Sequence, residues 1–181
     1  MNITIHHAPW TYGVIDNTYP EDYFRKSRDE LSVDVPRLTL LNAPRKSPLT
    51  VQIDNIKFPE TSLLVKSVDL FELFERVKPN FKTIRPYKQL KDTSIVSATS
   101  EYPHDIHHET PSKVFSLVTY ISPVINRGTF LYDTTKTVST EVEWAPNRSM
   151  FFCGENNVTW HSFFADHQPR ITLTRFLIAR G

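Results

Sequence analysis

The segment Tyr102-Pro-His-Asp-Ile-His-His-Glu-Thr-Pro-Ser-Lys113 is dense in side chains that bind cations. Residues two apart on an extended chain point to the same side, so His107 and Glu109 can face one interior together. A third candidate, His161, stands much later in Val158-Thr-Trp-His-Ser162. Two imidazoles and one carboxylate on one side of an iron ion leave three coordination positions open, which is what non-haem iron(II) chemistry with dioxygen needs. Those positions would take a bidentate 2-oxo acid and then dioxygen. A His followed two residues later by an acid says little alone. With 7 His and 20 Asp or Glu in 181 residues, chance supplies about one such pair. His104 and His108 compete for the role, but neither has an acid two residues on.

The companions strengthen the pair. A strand-like run, Val114 to Ser122, follows Glu109 at once, and Arg170-Ile-Thr172 follows His161. Arg170 and Thr172 share a strand face, so a guanidinium and a hydroxyl can meet one carboxylate. Arginine suits that task because its donors form a planar fork. Arg175 is the rival, but it is an odd number of residues from Arg170 and faces the other way on a regular strand. Tyr102 and Tyr120 flank the site and could hydrogen-bond the same ligand, although a buried Tyr more often simply packs. Asn157 and Trp160 neighbour the distal His and read as its supports. Lys113 reads as a solvated strand start within reach of a substrate, and Cys153 as a small buried hydrophobe.

The elements that must position these groups change character along the chain. Trp10–Asp16 reads as a strand and Thr18–Leu31 as a helix, with Pro20 near its first turn and Glu21 and Asp22 at its positive end. Pro36, Pro44, Pro48 and Pro59 break up the next stretch, in which Val51–Ile53 is a candidate strand. Ser67–Val77 reads as a second helix, capped by Ser67 and stopped by Pro79. Beyond Asn80, strands are expected at Phe81–Arg85, Ser94–Ser100, Lys113–Ser122, Thr129–Tyr132, Thr137–Trp144, Ser149–Cys153 and Ile171–Ala179, all rich in Val, Ile, Thr, Phe and Tyr. Many strands in a row without helices point to a sandwich or barrel. The expectation is a mainly β fold with N-terminal α-helices in one domain, 1–181. Residues 1–80 would be a helical support and 81–181 a jelly-roll core.

Composition narrows the function classes. Hydrophobic residues make up 39% of the chain, enough for a globular core and too many for disorder. A formal net charge of +1 with scattered Lys and Arg disfavours a nucleic-acid partner. No apolar run approaches a membrane span, and the first residues lack the pattern of a secretory signal. A single cysteine fits a reducing compartment, so a cytoplasmic setting is expected.

At these motifs the chain resembles the 2-oxoglutarate- and Fe(II)-dependent oxygenase superfamily, most of all its small prolyl-hydroxylase-like members from bacteria and phages. Pro9–Asn17 followed by Tyr19-Pro20 is similar to their opening. His107–Ser122 is similar to the first metal motif, Arg127-Gly-Thr-Phe-Leu-Tyr132 to a Gly-Gly-Thr-x-Leu-Tyr hairpin, and Asn157–Ser162 to the approach to the second histidine. Arg170-Ile-Thr172 resembles the cosubstrate-binding Arg-x-Ser/Thr element. The resemblance implies a double-stranded β-helix, which is a jelly roll. It also implies Fe(II) on His107, Glu109 and His161, with no catalytic side chain beyond these ligands. It implies 2-oxoglutarate on Arg170 and Thr172, with Tyr120 or Tyr102 assisting. Dioxygen, and ascorbate as an optional reductant, complete the set. The implied reaction hydroxylates a C–H bond of a small-molecule or peptide substrate and releases succinate and carbon dioxide. Two positions depart from the pattern. Glu109 stands where most members have Asp, and Arg127 where the first hairpin Gly is usual. The competing readings are a non-catalytic jelly-roll module and a cupin-like metalloprotein that does not use 2-oxoglutarate.

Overall fold

The computed structural model of the chain describes residues 2–41, 49–52, 57–99, 104–166 and 168–180. The chain is mainly β, with two antiparallel sheets and a few helices. The larger sheet runs in the order β1 (Asn2–His6), β2 (Tyr12–Asp16), β9 (Ser149–Cys153), β6 (Lys113–Ser122), β11 (Arg170–Arg180), β4 (Gln89–Thr99) and β3 (Leu49–Gln52). The smaller sheet runs β5 (His104–His107), β10 (His161–Phe163), β7 (Thr129–Tyr132) and β8 (Val138–Val142).

The strands at the centre of the larger sheet are covered on both faces, which is why β6 and β11 read as nearly continuous apolar runs. On one face lie α1 (Glu21–Leu41), α2 (Pro59–Lys66) and α3 (Leu70–Val77). Tyr19, Phe24, Leu31 and Leu64 pack there against Ile121, Ile171 and Leu173. Leu70, Leu73, Phe74 and Val77 pack against Phe115, Leu117 and Leu177. On the other face Trp10, Tyr12, Tyr120, Met150 and Phe152 meet Leu131 and Val142 of the smaller sheet. Among the described residues no helix is long and apolar enough to cross a membrane.

Several boundaries differ from the expectation, each for a local reason. The first helix starts at Glu21, not Thr18, because the Thr18 hydroxyl is spent on Ile15 O (3.2 Å) and Ser149 Oγ (2.7 Å). It continues past Leu31 to Leu41 and runs through Pro36, at the cost of one helical donor. Pro59, expected as a breaker, opens α2 at a position where the missing N–H is not needed. Ser67 closes α2, bonding back to Leu64 O at 2.7 Å, and Asp69 caps α3 by accepting from the amides of Phe71 and Glu72. Phe81–Arg85 joins neither sheet. Residues 138–142 form the strand expected over Thr137–Trp144. The first eighty residues also contribute β1, β2 and β3 to the larger sheet beside the helices. β1, β5 and β10 lie where no strand was expected. Ile53, Ser100 and Tyr102 lie outside the described residues.

Candidate active site

His107 ends β5 and His161 opens β10, and antiparallel pairing sets the two residues opposite each other. Their ring centroids are 4.3 Å apart. Each ring is anchored in the same way. His107 Nδ1 lies 2.8 Å from Asp105 O, and His161 Nδ1 lies 2.9 Å from Thr159 O. A carbonyl can only accept, so Nδ1 carries the proton in both rings, and in the neutral imidazole Nε2 then holds the lone pair. Metal-binding histidines are commonly held in this tautomer by such a bond.

Glu109 sits in the turn after β5 and is 6% exposed. Its Oε1 lies 4.0 Å from His161 Nε2. Its Oε2 accepts from Lys113 Nζ at 2.5 Å, and that ammonium lies 3.8 Å over the Phe176 ring. Burial pushes the Glu109 carboxyl up, but His161, Lys113 and His107 outweigh it and hold the group below its ordinary value. Among the described residues no three His, Cys, Asp or Glu side chains converge at ligating distance on one point. One Glu109 oxygen is engaged by Lys113, and the other lies toward His161. The donor set itself, two anchored imidazoles and one ionised carboxylate, fits a divalent cation of the iron type.

A cavity of about 260 Å³ runs from these three residues between the sheets to Arg170. Arg170, Thr172, Thr174 and Phe176 all line it, as alternation along β11 requires. Arg170 is only 1% exposed. Its Nη2 donates to Thr129 Oγ1 at 2.9 Å, and its guanidinium packs on Phe163 (4.7 Å), Tyr120 (5.2 Å) and Trp144 (5.3 Å). Its Nε has no hydrogen-bond partner, and among the described residues no carboxylate forms an ion pair with it. Burial pulls its pKa down to about 10, so the group is still a cation at neutral pH. Arg175 points to the opposite face of the sheet, where it donates to Val68 O (2.7 Å) and Asp92 Oδ2 (2.5 Å).

Of the other residues singled out in the sequence whose side chains are described, His108 and Lys113 line this cavity and the rest do not. Tyr120 does not line it. Its hydroxyl bonds Thr129 Oγ1 (3.0 Å) and donates to Val142 O (3.1 Å), and its ring stacks on Trp144 at 4.6 Å. Tyr120 thus supports the Thr129 hydroxyl on which Arg170 rests. His108 also lines the cavity, with Nδ1 at 3.2 Å from Glu109 O and its ring edge-on to Trp160. The side chain of His104 is outside the description. Asn157 is a turn residue at φ 59°, and the Ser162 hydroxyl bonds that of Tyr132 at 2.7 Å. Arg127, at the hairpin departure, pairs with Glu141 (2.9 Å) and lies over Phe130 and Phe164. Gly128 beside it is constrained, since a Cβ there would lie 1.8 Å from Val142 O. Cys153 is buried and its thiol is pushed up to about 12, so it is no nucleophile. Sequence reasoning missed Thr129 as the support of Arg170. It also missed Arg85, which bonds the backbone of the Glu109 turn.

No protein-family model and no curated protein sequence matches the chain. Solved structures do match it. A Pseudomonas putida prolyl-4-hydroxylase aligns at a TM-score of 0.70 and 14% identity, covering 94% of this chain and 93% of its own. A Trichoplax adhaerens prolyl hydroxylase, in complex with a peptide fragment of the hypoxia-inducible factor, aligns at 0.70 and 12%, covering 93% and 83%. The viral collagen prolyl hydroxylase of Paramecium bursaria Chlorella virus-1, in its 2-oxoglutarate complex, aligns at 0.61 and 11%, covering 93% and 96%. These structural neighbours are prolyl hydroxylases of the 2-oxoglutarate- and Fe(II)-dependent oxygenase superfamily, and the chain shares their fold.

Proposed function

We propose that the chain is a single-domain Fe(II)- and 2-oxoglutarate-dependent dioxygenase on a double-stranded β-helix. The observation that carries this reading is Arg170, a buried cation without an acid partner among the described residues, at one end of a cavity whose other end holds two anchored imidazoles and a carboxylate. Burying an unpaired charge costs several kcal/mol, roughly, unless something compensates it. An anionic ligand reaching into the cavity would do so. A dicarboxylate fits, with one end on Arg170 and the other toward the metal.

In this reading His107 and His161 hold the metal through Nε2, and Glu109 holds it through a carboxylate oxygen. Arg170 and Thr172 bind the distal carboxylate of 2-oxoglutarate. Tyr120 and Thr129 keep the guanidinium in place. When bound, iron(II) would let dioxygen act as the oxidant, with 2-oxoglutarate oxidised to succinate and carbon dioxide by one oxygen atom and a substrate C–H bond hydroxylated by the other. The protein's own contribution is to orient both and to exclude water, with Phe152, Phe163 and Phe176 forming apolar wall between the charged ends. The substrate is a small molecule or a peptide, and the peptide-bound Trichoplax structure favours the latter as a first screen. A cupin-like metalloprotein that does not use 2-oxoglutarate would leave Arg170 without a purpose.

Succinate release measured across pools of peptides and metabolites tests this reading. The wild type should consume 2-oxoglutarate, and His161→Ala should reduce turnover to background. Turnover that survives in His161→Ala removes that histidine from the metal set.

A further inference from the structure

The turn that carries Glu109 belongs to no strand. Residues 108–110 follow β5 without a ladder of their own, and the turn closes on a single backbone bond from Lys113 N to Thr110 O (3.0 Å). Beside the bond of His108 to Glu109 O, Arg85 supplies most of the missing backbone partners. Arg85 lies in the Phe81–Arg85 stretch that joins neither sheet. Its Nη2 donates to Glu109 O at 2.9 Å, and its Nη1 donates to Lys113 O at 2.8 Å and to Thr110 O. The same guanidinium reaches a second chain segment, with Nη2 donating to Asn156 Oδ1 at 2.6 Å. Asn156 belongs to the loop between β9 and β10 that delivers His161. Gly154, in that loop, leaves room for the arrangement. A Cβ there would lie 2.9 Å from Arg85 Nη1 and 3.0 Å from Lys113 O.

We infer that Arg85 is a positioning residue that staples the Glu109 turn to the His161 loop and so sets the spacing of the metal ligands. The inference rests on the reading of His107, Glu109 and His161 as that ligand set. A planar fork that meets three carbonyls and one amide oxygen at once cannot be replaced by a point charge. The length of Glu109 makes the staple more consequential. A carboxylate on a longer arm has more rotamer freedom to lose, so a fixed backbone under it counts for more.

Mn(II) binding measured by titration calorimetry, well below the melting temperature, tests the inference without any assay of turnover. Arg85→Lys should bind Mn(II) about 10- to 100-fold more weakly than the wild type, the range seen when supports of metal ligands are removed. Asn156→Ala, a gentler change, should weaken it in the same direction by less. Arg175→Met serves as the control. It removes a more deeply buried arginine from the opposite face of the sheet, and it should lower the melting temperature while leaving Mn(II) affinity unchanged. Arg85→Lys binding within twofold of the wild type overturns the staple. So does an equal loss in Arg175→Met, which would make the effect one of general destabilisation. Wild-type protein that binds no Mn(II) at all removes the ligand set itself, and the staple's role with it.

Discussion

At the scale of single residues, Arg170 concentrates the energetic tension of the molecule. It is a fully buried cation held by one threonine and three aromatic rings. Arg170→Met should therefore raise the melting temperature of the ligand-free protein, because an apolar side chain of similar length removes a desolvated charge. The same variant should raise the 2-oxoglutarate requirement about 100-fold, from the loss of roughly 3 kcal/mol of charge-assisted hydrogen bonding. Thermal melts and steady-state kinetics check the two halves. A lower melting temperature contradicts the first. The pH dependence has a definite sign. The unfolded chain keeps the Arg170 proton to a higher pH than the folded chain, which holds it only to about 10. The cost is fully present below about 10 and fades as pH rises from there, so the advantage of Arg170→Met should shrink on the alkaline side.

At the scale of elements, β11 separates two jobs by alternation. Arg170, Thr172, Thr174 and Phe176 face the cavity, while Ile171, Leu173 and Arg175 serve the helical side. Arg175→Met should cost about 2 kcal/mol of stability, because it leaves a half-buried Asp92 without its cation, and it should leave the 2-oxoglutarate requirement unchanged. Denaturant titration and kinetics on that variant measure both. A raised requirement would reverse the assignment of the two strand faces. The division of labour on β11 was legible in the sequence, because a period of two is fixed once the strand is. Likewise β6, β7 and β9 show themselves as dense β-branched and aromatic runs between Pro, Asn and Gly. The strands that carry His107 and His161 do not show themselves. They are four and three residues long and mostly polar, and only pairing with residues far along the chain makes them strands. Arg85 was hidden for a related reason. Its partners are backbone carbonyls 24 to 28 residues away, and carbonyls leave no mark on a sequence.

At the scale of the whole molecule, the two sheets hold between them a cavity with two imidazoles and a carboxylate at one end and an arginine at the other. The fold, shared with prolyl hydroxylases over more than nine-tenths of this chain, leaves that geometry to be tested by what it binds. Ligands that bind only the folded state raise its stability with their concentration, so metal and 2-oxoglutarate together should stabilise the protein more than either alone. The most direct measurement is the visible absorption of the protein titrated with Fe(II) and 2-oxoglutarate under nitrogen. The wild type should develop the charge-transfer band of a bidentate 2-oxo acid on iron, and His161→Ala should not. A wild-type protein that stays colourless, or a band of equal strength in His161→Ala, would contradict the assignment of this cavity to that chemistry.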